Sequence, residues 1–147
     1  MKNAISKSSL LAFGLLLLLL TGFTSCEKDK DDAPKPPTIR EQFVGKWAIK
    51  SFTIDGVEVK GSVITASKME FEAYTGSNGD FEWSINYTDG SSEIQSGEYT
   101  VDETDKEVDL ENAEGEHQKL DFDLDGNNLE LSGISEGQRI VMKAKRD

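Results

Sequence analysis

Phe81-Glu82-Trp83-Ser84-Ile85-Asn86-Tyr87 is the stretch that decides the fold. Phe81, Trp83, Ile85 and Tyr87 alternate with Glu82, Ser84 and Asn86. A strand turns successive side chains to opposite faces, so this pattern predicts a strand with one face in a core and one in water. The same period recurs on both sides of it. Met69, Phe71 and Ala73 alternate with Lys68, Glu70 and Glu72, and Leu120, Phe122 and Leu124 alternate with Asp121, Asp123 and Asp125. Helical spacing is not sustained anywhere after residue 47.

The punctuation agrees with a chain of short strands. Asp55-Gly56 separates two apolar runs and is a strong two-residue hairpin signal. Further turns fall at 76–80, 88–92, 102–106, 112–116, 125–127 and 133–137. Strands are expected near 47–54, 57–60, 68–74, 81–87, 93–101, 107–111, 117–124, 128–132 and 138–146. Gly97 interrupts the alternation between Ile94 and Tyr99 and predicts a bulge or sharp bend. Short links make sequential strands pair antiparallel. The expected fold is therefore all-β, an antiparallel up-and-down meander that removes its edges by closing into a small β-barrel. A two-layer sandwich is the alternative, but it needs longer crossing connections. Residues 38–44 read as one helical turn capped by Thr38, which packs Ile39 and Phe43 over a barrel end.

The chain opens differently. Lys2 and Lys7 precede an apolar run from Leu10 to Leu20, followed by Thr21-Gly22-Phe23-Thr24-Ser25-Cys26. A basic start, an apolar middle and small residues before a cut describe a secretory signal, residues 1–25. The run is too short to span a bilayer, which takes roughly 20 apolar residues. Cys26 is the only cysteine, and at this place it makes the chain resemble a bacterial lipoprotein. That resemblance implies alkylation of the thiol by a diacylglyceryl group and cleavage before Cys26. The alternatives are a simple secretory signal with a stray cysteine, or a lone buried thiol. Several acyl chains would give the protein a stable membrane partner.

Residues 26–38 hold the lipidated cysteine and then a charged, proline-bearing tether with Pro34, Pro36 and Pro37, leaving 39–147 as one barrel domain. The charges just after Cys26 resemble the export signal of surface lipoproteins in the Bacteroidetes group. An outer-membrane, surface-exposed location is the expectation. Loss of residues 1–25 lowers the basic count from 16 to 14 against 28 acids, and the net charge from −12 to −14. Such a chain repels nucleic acid and anionic lipid.

Gly45-Lys46-Trp47 after a helical turn resembles the opening of the lipocalins. With Gly97-Glu98-Tyr99, Asn128-Leu129-Glu130-Leu131 and a closing basic strand, residues 38–147 look closest to the small lipocalin-like lipoproteins of Bacteroidetes. The resemblance implies that Trp47 closes one barrel end under an arginine of the last strand. Arg139 and Arg146 both stand at its ends, and alternation does not choose between them.

Candidate sites are few. The lumen candidates are Phe71, Phe81, Trp83, Tyr87, Tyr99 and Phe122, all on the apolar phase of their strands. They either line a pocket for a small hydrophobic ligand or fill the barrel with their own bulk. Asp121 to Gly126 matches the first half of a calcium loop, but position twelve is Ser132 where a bidentate acid belongs. The acidic stretch 102–116 reads as a charged strand edge. His117 is the only histidine and has no cysteine partner, so no zinc set, cofactor or catalytic constellation is expected. The functional expectation is a non-catalytic envelope carrier or sensor of a small hydrophobic molecule. The alternative is a protein-interaction module with a filled barrel.

Overall fold

The computed structural model describes residues 35–147. Residues 1–34, with the signal, Cys26 and most of the tether, lie outside the described residues. The elements are α1 (Ile39–Phe43), β1 (Gly45–Ile54), β2 (Val57–Glu58), β3 (Ile64–Phe71), β4 (Gly79–Tyr87), β5 (Ser92–Asp102), β6 (Glu107–Asn112), β7 (His117–Asp125), β8 (Asn128–Ser135) and β9 (Gln138–Arg146).

Every pairing is antiparallel between neighbours in the order β1-β3-β4-β5-β6-β7-β8-β9, and β9 returns to pair with β1. Eight strands thus close into a barrel, and no sandwich forms. The two-residue β2 is an arm folded back on the end of β1, with Ile54 opposite Val57. Closure satisfies the backbone groups that an open sheet would leave at its edges.

Two bulges bend the barrel wall. The β1–β9 register shifts between Ile49 and Ser51, so Trp47 and Ile49 face inward before the bulge, and Phe52 and Ile54 after it. A second shift between Ile64 and Ala66 does the same for Ile64 and Ser67. This second bulge explains why β3 begins four residues earlier than alternation predicts. At its other end β3 stops at Phe71, and Ala73 is exposed outside the sheet rather than inward. Strand 57–60 shrinks to 57–58, because Lys60 only bridges to Ile64 as the chain turns.

Gly97 makes neither bulge nor register shift. It pairs with Phe81 on one side and Asn112 on the other in an unbroken ladder. Ile94 misled the reading because it lies on the outer face, 65% exposed, so the inward phase of β5 runs through Gly97 and Tyr99 without interruption. Gly97 serves close approach instead: a Cβ there would stand 1.9 Å from the Glu111 carbonyl oxygen.

α1 closes the end of the barrel where β1 begins. Thr38 caps it reciprocally: its Oγ1 accepts from the Glu41 N–H at 3.3 Å, and the Glu41 carboxylate accepts from the Thr38 N–H at 2.7 Å. The capped turn sets the fully buried Phe43 into one continuous core with Trp47, Met69, Phe71, Tyr99, Leu120 and Met142.

Candidate functional site

The antiparallel order gives the barrel two unlike ends. α1, the β3–β4 loop, the β5–β6 and β7–β8 turns and the last residues of β9 gather at one end. The hairpins at 55–56, 88–91, 113–116 and 136–137, with the loop 59–63, gather at the other. The chain enters the barrel at the first.

That first end is shut. Trp47 is completely buried, and its Nε1 donates to the Phe43 carbonyl at 2.8 Å. The Arg146 guanidinium lies 4.4 Å from the centre of the Trp47 ring, so Arg146 fills the place that alternation left open. It also donates from Nη1 to the Val44 carbonyl at 2.6 Å and from Nη2 to the Gln42 carbonyl. Gly45 leaves room for this fork, since a Cβ there would stand 2.7 Å from Nη1. Arg139 sits at the opposite end of β9, exposed, with its backbone N–H on the Asp55 carboxylate at 2.9 Å.

Four of the lumen candidates belong to the packed interior. Phe71, Phe81, Tyr99 and Phe122 are all buried core residues. Phe43 meets Phe71 and Phe122 edge-on at 5.4 and 4.9 Å, and Phe71 meets Tyr99 at 4.8 Å. Such pairs contribute about 0.5–1.5 kcal/mol each beyond their buried area. The Tyr99 hydroxyl donates to the Glu72 carbonyl at 2.8 Å, and burial pushes its phenol pKa well up. These rings fill the lower barrel.

Trp83 and Tyr87 lie further along β4, partly buried toward the second end. The Trp83 ring centre is 5.9 Å from that of Phe52, and its Nε1 donates to Ser67 Oγ at 2.8 Å. Opposite them, β5 places Gln95 across from Trp83 and Glu93 across from Ile85. Directly opposed residues share a face, so Glu93 and Gln95 belong to the inward phase although both are exposed. Tyr87 Oη donates to Glu93 Oε2 at 2.9 Å, and Gln95 Nε2 donates to Glu93 Oε1 at 2.6 Å. The Gln95 and Tyr87 hydrogen bonds hold the Glu93 carboxyl below the ordinary carboxylate range. Accepting that bond, Glu93 in turn pushes the Tyr87 phenol up. At this second end, the mouth of the barrel, Ile64, Ile85 and Ile140 are buried, and the side chains left partly or largely exposed are the aromatic Trp83 and Tyr87 on β4 and the polar Glu93 and Gln95 on β5.

Sequence reasoning missed Phe52, Ser67, Glu93 and Gln95. Counting back from Tyr99 in twos gives Gly97, Gln95 and Glu93, and that signal was masked by Ile94.

The acidic candidates lie outside the barrel. Asp121 and Asp123 stand on the outer face of β7, opposite Ser132 and Glu130. A shallow depression of about 150 Å³ lies on the outer wall, lined by Asn78, Glu98, Thr100, Asp109, Glu111 and His117 among others. There His117 Nδ1 lies 3.2 Å from Asp109, and Nε2 lies 3.8 Å from Glu111. Among the described residues no group of three or more His, Cys, Asp or Glu side chains is placed to hold a metal ion.

No protein-family model and no curated protein matches the sequence. Solved structures do. A redesigned β-barrel aligns with 74% of this chain and 94% of its own at 17% identity and a TM-score of 0.57. A de novo designed fluorescence-activating β-barrel aligns with 74% and 96% at 16% identity and a TM-score of 0.54. A weaker likeness, at 13% identity and a TM-score of 0.49, is to lobster apocrustacyanin A1, over 74% of this chain and 62% of that one. The chain is thus an antiparallel closed β-barrel of eight strands, and at these identities the likeness concerns the fold alone.

Proposed function

We propose that this chain is a lipid-anchored, lipocalin-like protein of the bacterial envelope that binds a small hydrophobic or amphipathic molecule in the mouth of its barrel, without catalysing a reaction. One observation carries the binding reading. The lower barrel is packed with side chains, while the inward-facing aromatics Trp83 and Tyr87 remain only partly covered at the mouth. Small-molecule sites combine apolar and aromatic walls with a few placed polar groups. Tyr87, Glu93 and Gln95 supply those polar groups, and an ionised Glu93 suits binding better than acid catalysis.

The anchor rests on the run Leu10 to Cys26 and on the lysine-and-acid sequence after it, which also supports attachment at the cell surface. The chain enters the barrel at the shut end, and the mouth is the other end of the barrel. Native mass spectrometry of the chain released from its own membranes tests the binding. A stoichiometric small adduct, lost in Trp83→Ala while the barrel stays folded, is the expected result. A clean apo mass that stays clean after incubation with hydrophobic molecules would sink it. Detergent-phase partitioning tests the anchor: Cys26→Ala should leave the detergent phase, and unchanged partitioning would remove the lipid.

A second reading has its own observation. Among the described residues, four large aliphatic side chains, Val57, Val63, Ile94 and Ile134, are 49–67% exposed, and all lie toward the mouth end. They favour contact with another protein there if the small-molecule adduct is absent.

A further inference from the structure

Glu93 is the feature of the mouth that binding of a merely hydrophobic molecule does not explain. Among the described residues, two charged side chains stand at paired positions on the inward phase of the eight barrel strands, Arg146 and Glu93. Arg146 is accounted for at the shut end by Trp47 and two backbone carbonyls. Glu93 has no such partner. Its donors are the neutral Tyr87 hydroxyl and Gln95 amide, and among the described residues no lysine, arginine or histidine lies within ion-pair distance of it. Arg146 aside, the other paired inward positions carry apolar or uncharged side chains, so Glu93 is a charged departure from the binary pattern, and such departures concentrate at functional sites.

Resting on the reading that the mouth binds a small molecule, we infer that its ligand is an organic monocation. An ammonium group sits against the Glu93 carboxylate and the Tyr87 and Trp83 rings, on an apolar body that lies along the exposed part of Trp83. The chemistry of these side chains agrees. An ionised carboxylate accepts hydrogen bonds and offers none, and both neutral donors leave its charge uncancelled. The faces of Trp and Tyr attract a cation within about 6 Å. Asp89, in the turn after Tyr87, adds a second negative charge near the same phenol. A fatty-acid carboxylate placed here would face Glu93, Asp89 and a chain of net charge −12. The site therefore selects against the anionic lipids that an apolar barrel mouth would otherwise accept.

Three water-soluble probes that differ only in their head group test this: 3-phenylpropyltrimethylammonium, 3-phenylpropanol and 3-phenylpropanoate. Each is titrated calorimetrically into the full chain in lipid nanodiscs, with empty nanodiscs as the blank. The expected order of affinity is cation, alcohol, carboxylate, with the cation at least about fivefold tighter than the alcohol. Glu93→Gln keeps the shape and the Tyr87 acceptor, so it should erase the cation's advantage and leave the alcohol unchanged. An alcohol or carboxylate that binds as well as the cation overturns the monocation and leaves the mouth reading standing. A cation advantage that survives Glu93→Gln overturns the site. Failure of all three probes to bind overturns the inference together with the reading beneath it.

Discussion

Arg146 ties the end of β9 to the last turn of α1 and to the start of β1. Its guanidinium covers the Trp47 ring, and its two nitrogens take the Gln42 and Val44 carbonyls that α1 leaves without helical partners. Removal leaves those carbonyls near a buried ring, so Arg146→Ala should cost about 2–4 kcal/mol. Arg146→Lys should recover only part of that, because an ammonium cannot stack and fork at once. Arg139→Ala, at an exposed site, should stay within about 0.5 kcal/mol. Urea unfolding followed by far-ultraviolet circular dichroism separates the three, and equal losses at both arginines would contradict the assignment. The choice was hidden in the sequence by Val141. With Ile140, Val141 and Met142 all apolar, β9 shows no clean phase, and pairing with β1 is needed to put Arg146 beside Trp47.

At the scale of elements, the weak points of the barrel are its bulges and its tightest strand approach. β2 clasps β1 through Glu58. The Glu58 carboxylate accepts from Ser51 Oγ, from the Phe52 N–H at 2.9 Å and from the Lys60 N–H at 3.0 Å. These bonds, led by that from Ser51, hold its pKa below the ordinary value of 4.5. A group whose folded pKa is depressed adds stability above its unfolded value and loses it as pH falls through the folded one. Thermal midpoints should therefore drop as pH falls below about 4.5, and Glu58→Gln should flatten that limb. An identical acid limb in the variant would remove Glu58 from the account. Gly97→Ala makes the opposite kind of test, at neutral pH. Its Cβ would strike the Glu111 carbonyl, so strand β5 or β6 must move, and a loss of about 3 kcal/mol or failure to fold is expected in the same unfolding assay. The strands read well wherever one face was uniformly apolar, as in β4 and β7. They were misplaced at 64–67, where the bulge at Thr65 shifts the inward set from even to odd positions.

For the whole molecule, the question left by the sequence was whether inward aromatics line a pocket or fill it, and alternation cannot answer that. Phase tells which way a side chain points and nothing of how deep along the barrel it lies. The six aromatics divide by depth: Phe71, Phe81, Tyr99 and Phe122 pack in the interior, while Trp83 and Tyr87 stay at the mouth. Stability and binding should then separate in paired variants. Phe122→Ala empties a buried site against Phe43, so it should cost about 3–5 kcal/mol and leave probe affinity in the mouth unchanged. Trp83→Ala removes a ring that is already partly in water, so its stability cost should fall below that of Phe122→Ala, while affinity falls by tenfold or more. Unfolding midpoints and calorimetric affinities measured on the same two variants decide it. If Trp83→Ala proves the more destabilising and binds probe as tightly as the parent chain, the mouth is simply more core. The exposed aliphatic side chains of Val57, Val63, Ile94 and Ile134 toward that end then become the place to which function must be traced.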